Sequence, residues 1–193
     1  MSKKVTFLLS LLIAICANNF AQENFIYNQK GLTPNYLVVE IDSLNKEQLF
    51  QKSINWIKET YKNPDEVIKT TINNEKVRFE GFESNLICVN SLGIHYCYYA
   101  LYTIEIEFKD NKYKFTPLNL EYRVPASEYT PGGMKTINFS DGSAYYNKKG
   151  KLRRMYKSIP TTVEALFNDL NKSLSNYLIS EQLSKESNES DDW

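Results

Sequence analysis

Between Ile94 and Lys109 one set of alternate positions is apolar throughout, and this pattern constrains the fold more than any other. A period of two is typical of a long β-strand with one buried face. The Asp110-Asn111 pair then predicts a two-residue turn into a second strand over residues 112–122. The turn fixes two facing pairs, Phe108 with Tyr113 and Ile106 with Phe115. The predicted core face comprises Tyr96, Tyr98, Ala100, Tyr102, Ile104, Ile106 and Phe108.

A preceding strand, Lys76–Ser91, is predicted to enter the long strand through a turn at Leu92-Gly93. This turn places Cys88 opposite Cys97 in a non-hydrogen-bonded pair, whose Cα atoms lie ~4.5 Å apart. A disulfide tolerates that distance, and an exported chain meets an oxidising compartment. We therefore expect a disulfide between Cys88 and Cys97. A loop longer by one or two residues would shift the register and favour two free buried thiols.

Shorter patterns predict the remaining elements. Residues 36–41 read as a strand by their β-branched content. Residues at helical spacing predict a helix over 46–61: Phe50, Ile54, Ile57 and Tyr61. A strand over 67–73 is expected to return through a two-residue turn at Asn74-Glu75, which pairs Ile72 with Val77. Thr161 or Thr162 is expected to cap a final amphipathic helix.

This order of elements predicts an α+β fold. We expect a curved antiparallel sheet of about five strands with two helices on one face. Residues 35–183 would form one domain, after a polar lead over 22–34 and before a disordered acidic tail over 184–193. Between residues 124 and 160 we expect irregular structure with one or two short strands.

The N terminus has the order of a secretory signal peptide. Lys3 and Lys4 precede an apolar run over residues 5–17, and cleavage is expected after Ala21, which removes residues 1–21. The run is shorter than the ~20 apolar residues of a membrane span, so no transmembrane helix is expected in the mature chain. Cys16 raises a lipoprotein alternative, but Ile15 before it suits acylation poorly. We expect the mature protein in the periplasm or at the cell surface.

Charge argues against one class of partner. The chain has 23 basic and 23 acidic residues, and the signal peptide contains two lysines and no acid. The mature chain is therefore mildly acidic, which gives no field for gathering phosphate backbones, and nucleic acid is not an expected partner. The local basic run over residues 148–157 could bind an anionic glycan or lipid headgroup, although a solvated surface is the default interpretation.

Two segments resemble a known family. They are the opening Asn35-Tyr36-Leu37-Val38-Val39-Glu40, followed by a helix containing Trp56, and the run from Asn147-Lys148-Lys149-Gly150 to Ile159-Pro160. Together they resemble an uncharacterised family of exported Bacteroidetes proteins described as having a TATA-binding-protein-like fold. The resemblance spans residues 35–180 and implies a curved antiparallel sheet with helices on one side. It implies no activity, and a fold similarity is no evidence for DNA binding.

No cluster of residues predicts catalysis. The sole histidine, His95, lacks the further ligands that a stable zinc site needs. Glu105 and Glu107 share the outward face of the long strand, where Glu107 would face Lys114 in a salt-bridged surface. Asp141 lies in a Ser-Asp-Gly-Ser turn with no base beside either serine. We therefore expect no catalytic residue, no metal and no cofactor.

The second face of the sheet is the candidate site. The two turn rules place six apolar residues on it, away from the core face: Leu86, Tyr99, Leu101, Leu118, Leu120 and Tyr122. Residues 124–156 could fold over this patch, using Phe139, Tyr145, Tyr146 or Met155. If they do not, the patch is open to a partner or an apolar ligand.

We expect a non-catalytic binding or accessory protein that uses this second face. Its partner would be a protein, a glycan or an apolar ligand, and the sequence defines neither that choice nor the oligomeric state. Two alternatives stay open. A hydrolase-type enzyme could assemble its site from distant residues such as Asp141 and His95, and a structural subunit of an envelope assembly would seal the same patch in an oligomer.

Overall fold

In the computed structural model of the protein, the residues described are 24–189 except Leu92, Tyr129 and Thr130, with side chains described up to residue 180. The signal peptide expected at residues 1–21 and the last four residues of the predicted tail lie outside them. No helix in the described ranges is long and apolar enough to cross a membrane.

The elements follow one another in the predicted order. The strands are β1 (Ile26–Asn28), β2 (Gly31–Thr33), β3 (Leu37–Glu40), β4 (Ile68–Ile72), β5 (Lys76–Ser91), β6 (Ile94–Lys109), β7 (Lys112–Val124) and β8 (Gly133–Thr136). The α-helices are α1 (Lys46–Thr60), α2 (Pro64–Val67) and α3 (Ile159–Glu189), and single 3₁₀ turns lie at Ser143–Tyr145 and Arg154–Tyr156.

Six of these strands form one antiparallel sheet. Its order is β3-β7-β6-β5-β4, and β8 pairs with the far end of β7, while β1 and β2 form a separate hairpin. The α+β class is confirmed, and the sheet has one strand more than the five expected. The additional strand, β8, comes from the stretch where irregular structure with one or two short strands was predicted.

Helices α1 and α3 pack against the same face of the sheet, which we call the inner face. Trp56 of α1 meets Phe79 of β5 edge to face at 5.8 Å, and its indole N–H donates to Ser173 Oγ of α3 at 3.1 Å. Asn171 of α3 accepts a 2.9 Å hydrogen bond from the Tyr113 hydroxyl of β7. The other face of the sheet is the outer face.

The core begins earlier in the chain than residue 35. Phe25, Tyr27 and Leu32, from the stretch expected to be a polar lead, are all buried. Asn168 of α3 fixes this stretch, because its side chain accepts from the Phe25 N–H at 2.8 Å and donates to the Phe25 carbonyl at 3.0 Å. The sequence pattern missed the β1–β2 hairpin because each strand has only three residues.

The last helix is longer than predicted at both ends. It begins at Ile159, before the expected caps Thr161 and Thr162, with Pro160 in its first turn. Proline suits this position because the N–H that it lacks has no partner within the helix there. The helix continues to Glu189, so residues 184–189 of the expected disordered tail are helical.

The β6–β7 hairpin confirms the predicted register near its turn but not beyond it. Phe108 faces Tyr113, as the two-residue turn requires. Further along, Ile104 faces Pro117 whereas Thr103 faces Asn119, which leaves Leu118 as an extra residue. Proline has no N–H to donate to a ladder, so Pro117 favours a bulge at this point.

This bulge exchanges the two faces of β7. A shift of one residue turns every following side chain to the opposite side of the sheet. Leu120, expected beside Leu101 on the second face, instead faces Tyr102 and is fully buried. Tyr122 likewise faces Ala100. The prediction that Leu120 and Tyr122 lie on the outer face was therefore wrong.

The β4–β5 register also differs from the prediction by one residue. Ile72 pairs with Lys76 and not with Val77, since the connecting loop has three residues. Asn74 in this loop adopts a φ of 58°, in the left-handed region that asparagine tolerates. The outer face of β4 consequently presents Ile72 beside Lys76.

Candidate functional site

One half of the outer face is a ladder of paired charges. Glu105 accepts from Arg78 at 2.7 and 3.2 Å and from Lys76 at 3.4 Å. Partial burial alone raises the pKa of the Glu105 carboxyl, but these hydrogen bonds outweigh it and hold the pKa below its usual value. Glu107 pairs with Lys114 in the next row, as predicted. The Glu105 and Glu107 carboxylates in this half are therefore paired with cations of the protein itself.

The other half presents aromatic and aliphatic side chains, and we call Phe82, Tyr99 and Leu101 the aromatic patch. The rings of Phe82 and Tyr99 lie 5.4 Å apart with an interplanar angle of 37°. Phe82 is 56% exposed and Tyr99 is 37% exposed. Leu101, half-buried, faces Phe82 across the β5–β6 ladder. A contiguous exposed apolar patch is more informative about function than a single exposed apolar side chain.

A depression of about 410 Å³ adjoins the aromatic patch. Its lining combines aromatic side chains with groups that form hydrogen bonds: Phe82, Ser84, Asn85, Cys97, Tyr98, Tyr99, Arg123 and Pro125. Asn85 stands in the β5 bulge between Glu83 and Ile87, with a φ of 54°. Bulges commonly redirect side chains beside binding sites, and this one lies next to the aromatic patch.

Three of the six residues predicted for the second face lie elsewhere. Leu86 packs against the core, Leu120 is buried in it, and Tyr122 meets Tyr98 at 5.8 Å on the inner side. Tyr99 and Leu101 belong to the aromatic patch, and Leu118 is 40% exposed on the β7 bulge. Phe82 was not among the six predicted residues, although it occupies the same alternate positions of β5 as Arg78 and Glu80.

The aromatic side chains that were expected to fold over the second face pack elsewhere. Phe139 meets Phe167 of α3 at 5.6 Å, and Tyr145 meets Tyr27 at 5.9 Å. Tyr146 donates from its hydroxyl to the Tyr27 carbonyl at 3.3 Å. These side chains extend the inner core beside the β1–β2 hairpin. Phe139, Tyr145 and Tyr146 therefore pack on the side of the helices, and none of the three covers the aromatic patch.

A larger cleft of about 680 Å³ opens between the β5 bulge and the start of α3. Glu83, His95 and Asp169 contribute titratable groups to its lining. Tyr102 also lines it and shares a 2.8 Å hydrogen bond with Tyr61. Burial raises the pKa of both phenols, and in Tyr61 the neighbouring Tyr102 adds to the shift. Both tyrosines are therefore neutral at physiological pH.

The disulfide expected between Cys88 and Cys97 is present, with an S–S distance of 2.03 Å. His95 stands beside it, because one ligand atom from each of the three residues lies within 4.8 Å of the others. From the sequence, His95 was expected to have no cluster of possible ligands near it. The two sulfurs are bonded to each other, so they are not thiolate ligands. His95 Nδ1 hydrogen-bonds to Asn90 Oδ1 at 2.8 Å.

The Asp141 turn is structural. The Asp141 carboxylate accepts from the Ser143 N–H at 2.9 Å, and this hydrogen bond lowers the pKa of the exposed carboxyl. Glu105 and Asp141 are thus carboxyl groups shifted toward the ionised form. A general acid near neutral pH needs the opposite shift, so neither carboxyl is suited to that role.

Residues 36–123 match the family model described as "Domain of unknown function (DUF4468) with TBP-like fold". Residues 36–123 are therefore similar to the domains of this family. The resemblance inferred from the sequence is confirmed, although the match ends before β8 and α3 and not near residue 180.

Two solved structures are similar to this chain. A DUF4468 family protein from Bacteroides ovatus is 14% identical, with a TM-score of 0.56 over 74% of this chain and 84% of its own. A TBP-like protein from Parabacteroides distasonis is 17% identical, with a TM-score of 0.48 over 73% of this chain and 91% of its own. The first likeness supports the fold alone. No curated protein matches the chain.

Proposed function

We propose that this protein is an exported, non-catalytic binding protein that holds a carbohydrate against the aromatic patch. The observation that carries the proposal is the exposed Phe82–Tyr99 ring pair on a sheet face that no other described segment covers. An exposed patch of this kind is usually an interaction site.

A carbohydrate suits the chemistry of this surface. A sugar ring has an apolar face of C–H groups, which packs on aromatic rings, and a rim of hydroxyls, which needs hydrogen-bonding groups. Phe82 and Tyr99 supply the first, while Asn85 and Arg123 in the adjoining depression supply the second. Binding sites in general combine an apolar lining with a few convergent polar groups.

Two further features support export. The signal peptide expected at residues 1–21 would deliver the chain to the periplasm or the cell surface. The Cys88–Cys97 disulfide is consistent with an oxidising compartment of that kind. A carbohydrate-binding protein would meet its ligand there.

An enzyme centred on the larger cleft is the second candidate. The cleft brings Glu83, His95 and Asp169 to one lining, beside the Tyr61–Tyr102 hydroxyl pair. Replacing His95 with alanine separates the two candidates. The binding protein would retain its carbohydrate, whereas an enzyme using this cleft would lose activity.

An oligosaccharide array tests the proposal. The protein should be retained by a subset of sugars, and the double variant Phe82→Ala with Tyr99→Ala should bind them roughly tenfold more weakly, since two stacking rings are lost. The matched control is Val38→Ala with Ile72→Ala, because these two side chains are also apolar, exposed and on the outer face, but at its charged end.

Two outcomes would contradict this function. Retention by no sugar on the array would refute a carbohydrate ligand. Equal weakening by the control variant would mean that general surface hydrophobicity, and not the aromatic patch, is responsible.

A further inference from the structure

A second surface of the protein is strongly basic. Lys148, Lys149, Lys151, Arg153, Arg154 and Lys157 lie within ten residues, and all six are exposed. No acidic residue occurs between Asp141 and Glu164. The whole chain has equal numbers of basic and acidic residues, so this concentration leaves the rest of the protein acidic. We call residues 147–157 the basic loop.

The basic loop is held in one conformation. Asn147 Oδ1 accepts from the backbone N–H groups of Lys149 and Lys151 at 2.9 and 3.0 Å. Tyr146 and Leu152 form an isolated antiparallel bridge, and Tyr156 packs on Tyr145 with the ring centres 5.4 Å apart. The half-buried residues therefore anchor the loop from within and leave its cations outside.

These cations lack acidic partners in the part of the chain that the structure describes. The ion pairs within 4.0 Å there involve Lys69, Lys76, Arg78 and Lys114, all outside the basic loop. Arg153 Nε donates to the Tyr146 carbonyl, which satisfies a hydrogen bond but neutralises no charge. Like charges this close repel each other, and an anionic surface would relieve that repulsion.

An apolar side chain projects from the same surface. Met155 is 42% exposed and directly follows Arg153 and Arg154. A basic segment with an exposed apolar residue is the composition that binds at the interface of an anionic bilayer, where cations meet headgroups and the apolar group enters the acyl boundary. A soluble polyanion would use the cations but would give Met155 no apolar environment.

We propose that the basic loop docks this protein on an anionic lipid surface. The six cations face the phosphate-bearing headgroups, and Met155 inserts between the lipids. The outer face of the sheet is a separate surface, so its ligand does not depend on this contact. The interaction is peripheral, because each cation near an anionic membrane strengthens binding only about fivefold.

Vesicle co-sedimentation of the protein recovered after export tests the proposal. Vesicles of phosphatidylglycerol and phosphatidylcholine should retain the protein, and vesicles of phosphatidylcholine alone should not. Lys148→Gln with Lys149→Gln should weaken binding about 25-fold, which is the effect of removing two cations. Met155→Ser should weaken it by roughly fivefold through the lost apolar contact. Binding should fall steeply in 0.5 M NaCl.

The matched control is Lys46→Gln with Lys109→Gln. Both lysines are exposed, and both lie near the β6–β7 turn, where the Lys46 N–H donates to Asp110 Oδ1. The basic loop lies near the opposite end of β6, because Ser158, the residue after the loop, donates to the Cys88 carbonyl there. This variant should bind within twofold of the unchanged protein.

Three outcomes would overturn the proposal. The first is no retention by anionic vesicles, and the second is equal weakening by the control pair. The third is tighter binding to soluble polygalacturonate than to vesicles, unaffected by Met155→Ser, which would make an acidic glycan the partner.

Discussion

Two leucines on β7, two residues apart, should lose very different amounts of stability in the same substitution. Leu118 is 40% exposed on the bulge, whereas Leu120 is fully buried opposite Tyr102. Leu→Ala at a fully buried site removes the transfer free energy of the side chain and leaves a cavity, which together cost about 3–5 kcal/mol. Leu→Ala at Leu118 should cost only about 0.5 kcal/mol, as at other surface sites.

Urea unfolding followed by far-ultraviolet circular dichroism measures both variants. Leu120→Ala should lower the free energy of unfolding by about 3 kcal/mol and the melting temperature by on the order of 10 °C, given about 2–4 °C per kcal/mol in a chain of this size. Leu118→Ala should shift the midpoint barely at all. Equal effects of the two substitutions would refute the bulge at Pro117, because a regular ladder places both leucines on one face.

Three further predictions concern the inner face and the hairpin. Gly81→Ala should cost roughly 2–4 kcal/mol in urea unfolding, because a Cβ at Gly81 would lie 2.2 Å from the buried Tyr102 ring, and Tyr102→Leu in the same chain should remove most of that cost. Cys88→Ala with Cys97→Ala should lower stability by about 2.5 kcal/mol, the loop entropy for a separation of 9 residues, and an unchanged melting temperature would contradict it. Burial and the nearby Asp141 raise the pKa of Tyr27 to about 12, so the folded state holds this proton more tightly than the unfolded state. Tyr27 should have no effect on the pH dependence of stability below about pH 9 and should contribute about 1.3 kcal/mol to the fall between pH 9 and 11, so the fall in Tyr27→Phe should be smaller by this amount.

The sequence was informative where local chemistry decides the structure. Asp110-Asn111 is a two-residue turn, and Asn111 adopts the left-handed φ of 62° that such turns require. Gly93 has a φ of 81° in the turn that places Cys88 opposite Cys97, which is why the disulfide could be predicted. The alternation in β6 likewise identified the inner face from Ala100 to Phe108.

The errors came from single residues inside or between strands. Pro117 introduced the β7 bulge and exchanged the faces of Leu120 and Tyr122, and proline within a predicted strand is a signal that could have revealed it. The three-residue loop at Asn74 shifted β4 by one position. Packing between distant segments, such as Phe25 on Asn168, leaves no periodic pattern in a short stretch and was not predictable.

The candidate site was predictable only in part, because it too depends on bulges within the strands. Tyr99 and Leu101 were placed on the outer face, as observed, because they follow the alternation of β6. The depression beside them depends on the β5 bulge at Asn85 and on Arg123 after the β7 bulge. The number of residues that a bulge adds depends on the tertiary fold, so turn rules alone could not place these two side chains.

Chemical-shift mapping of the ¹⁵N-labelled protein tests the central proposal most directly, using the oligosaccharide that the array retains most strongly. Binding at the aromatic patch predicts shifts in the backbone amides of Phe82, Tyr99 and Arg123, with those of Thr161 and Asp169 in the cleft unchanged. Shifts concentrated at Thr161 and Asp169, with Phe82 and Tyr99 unaffected, would contradict the account and assign the ligand to the cleft.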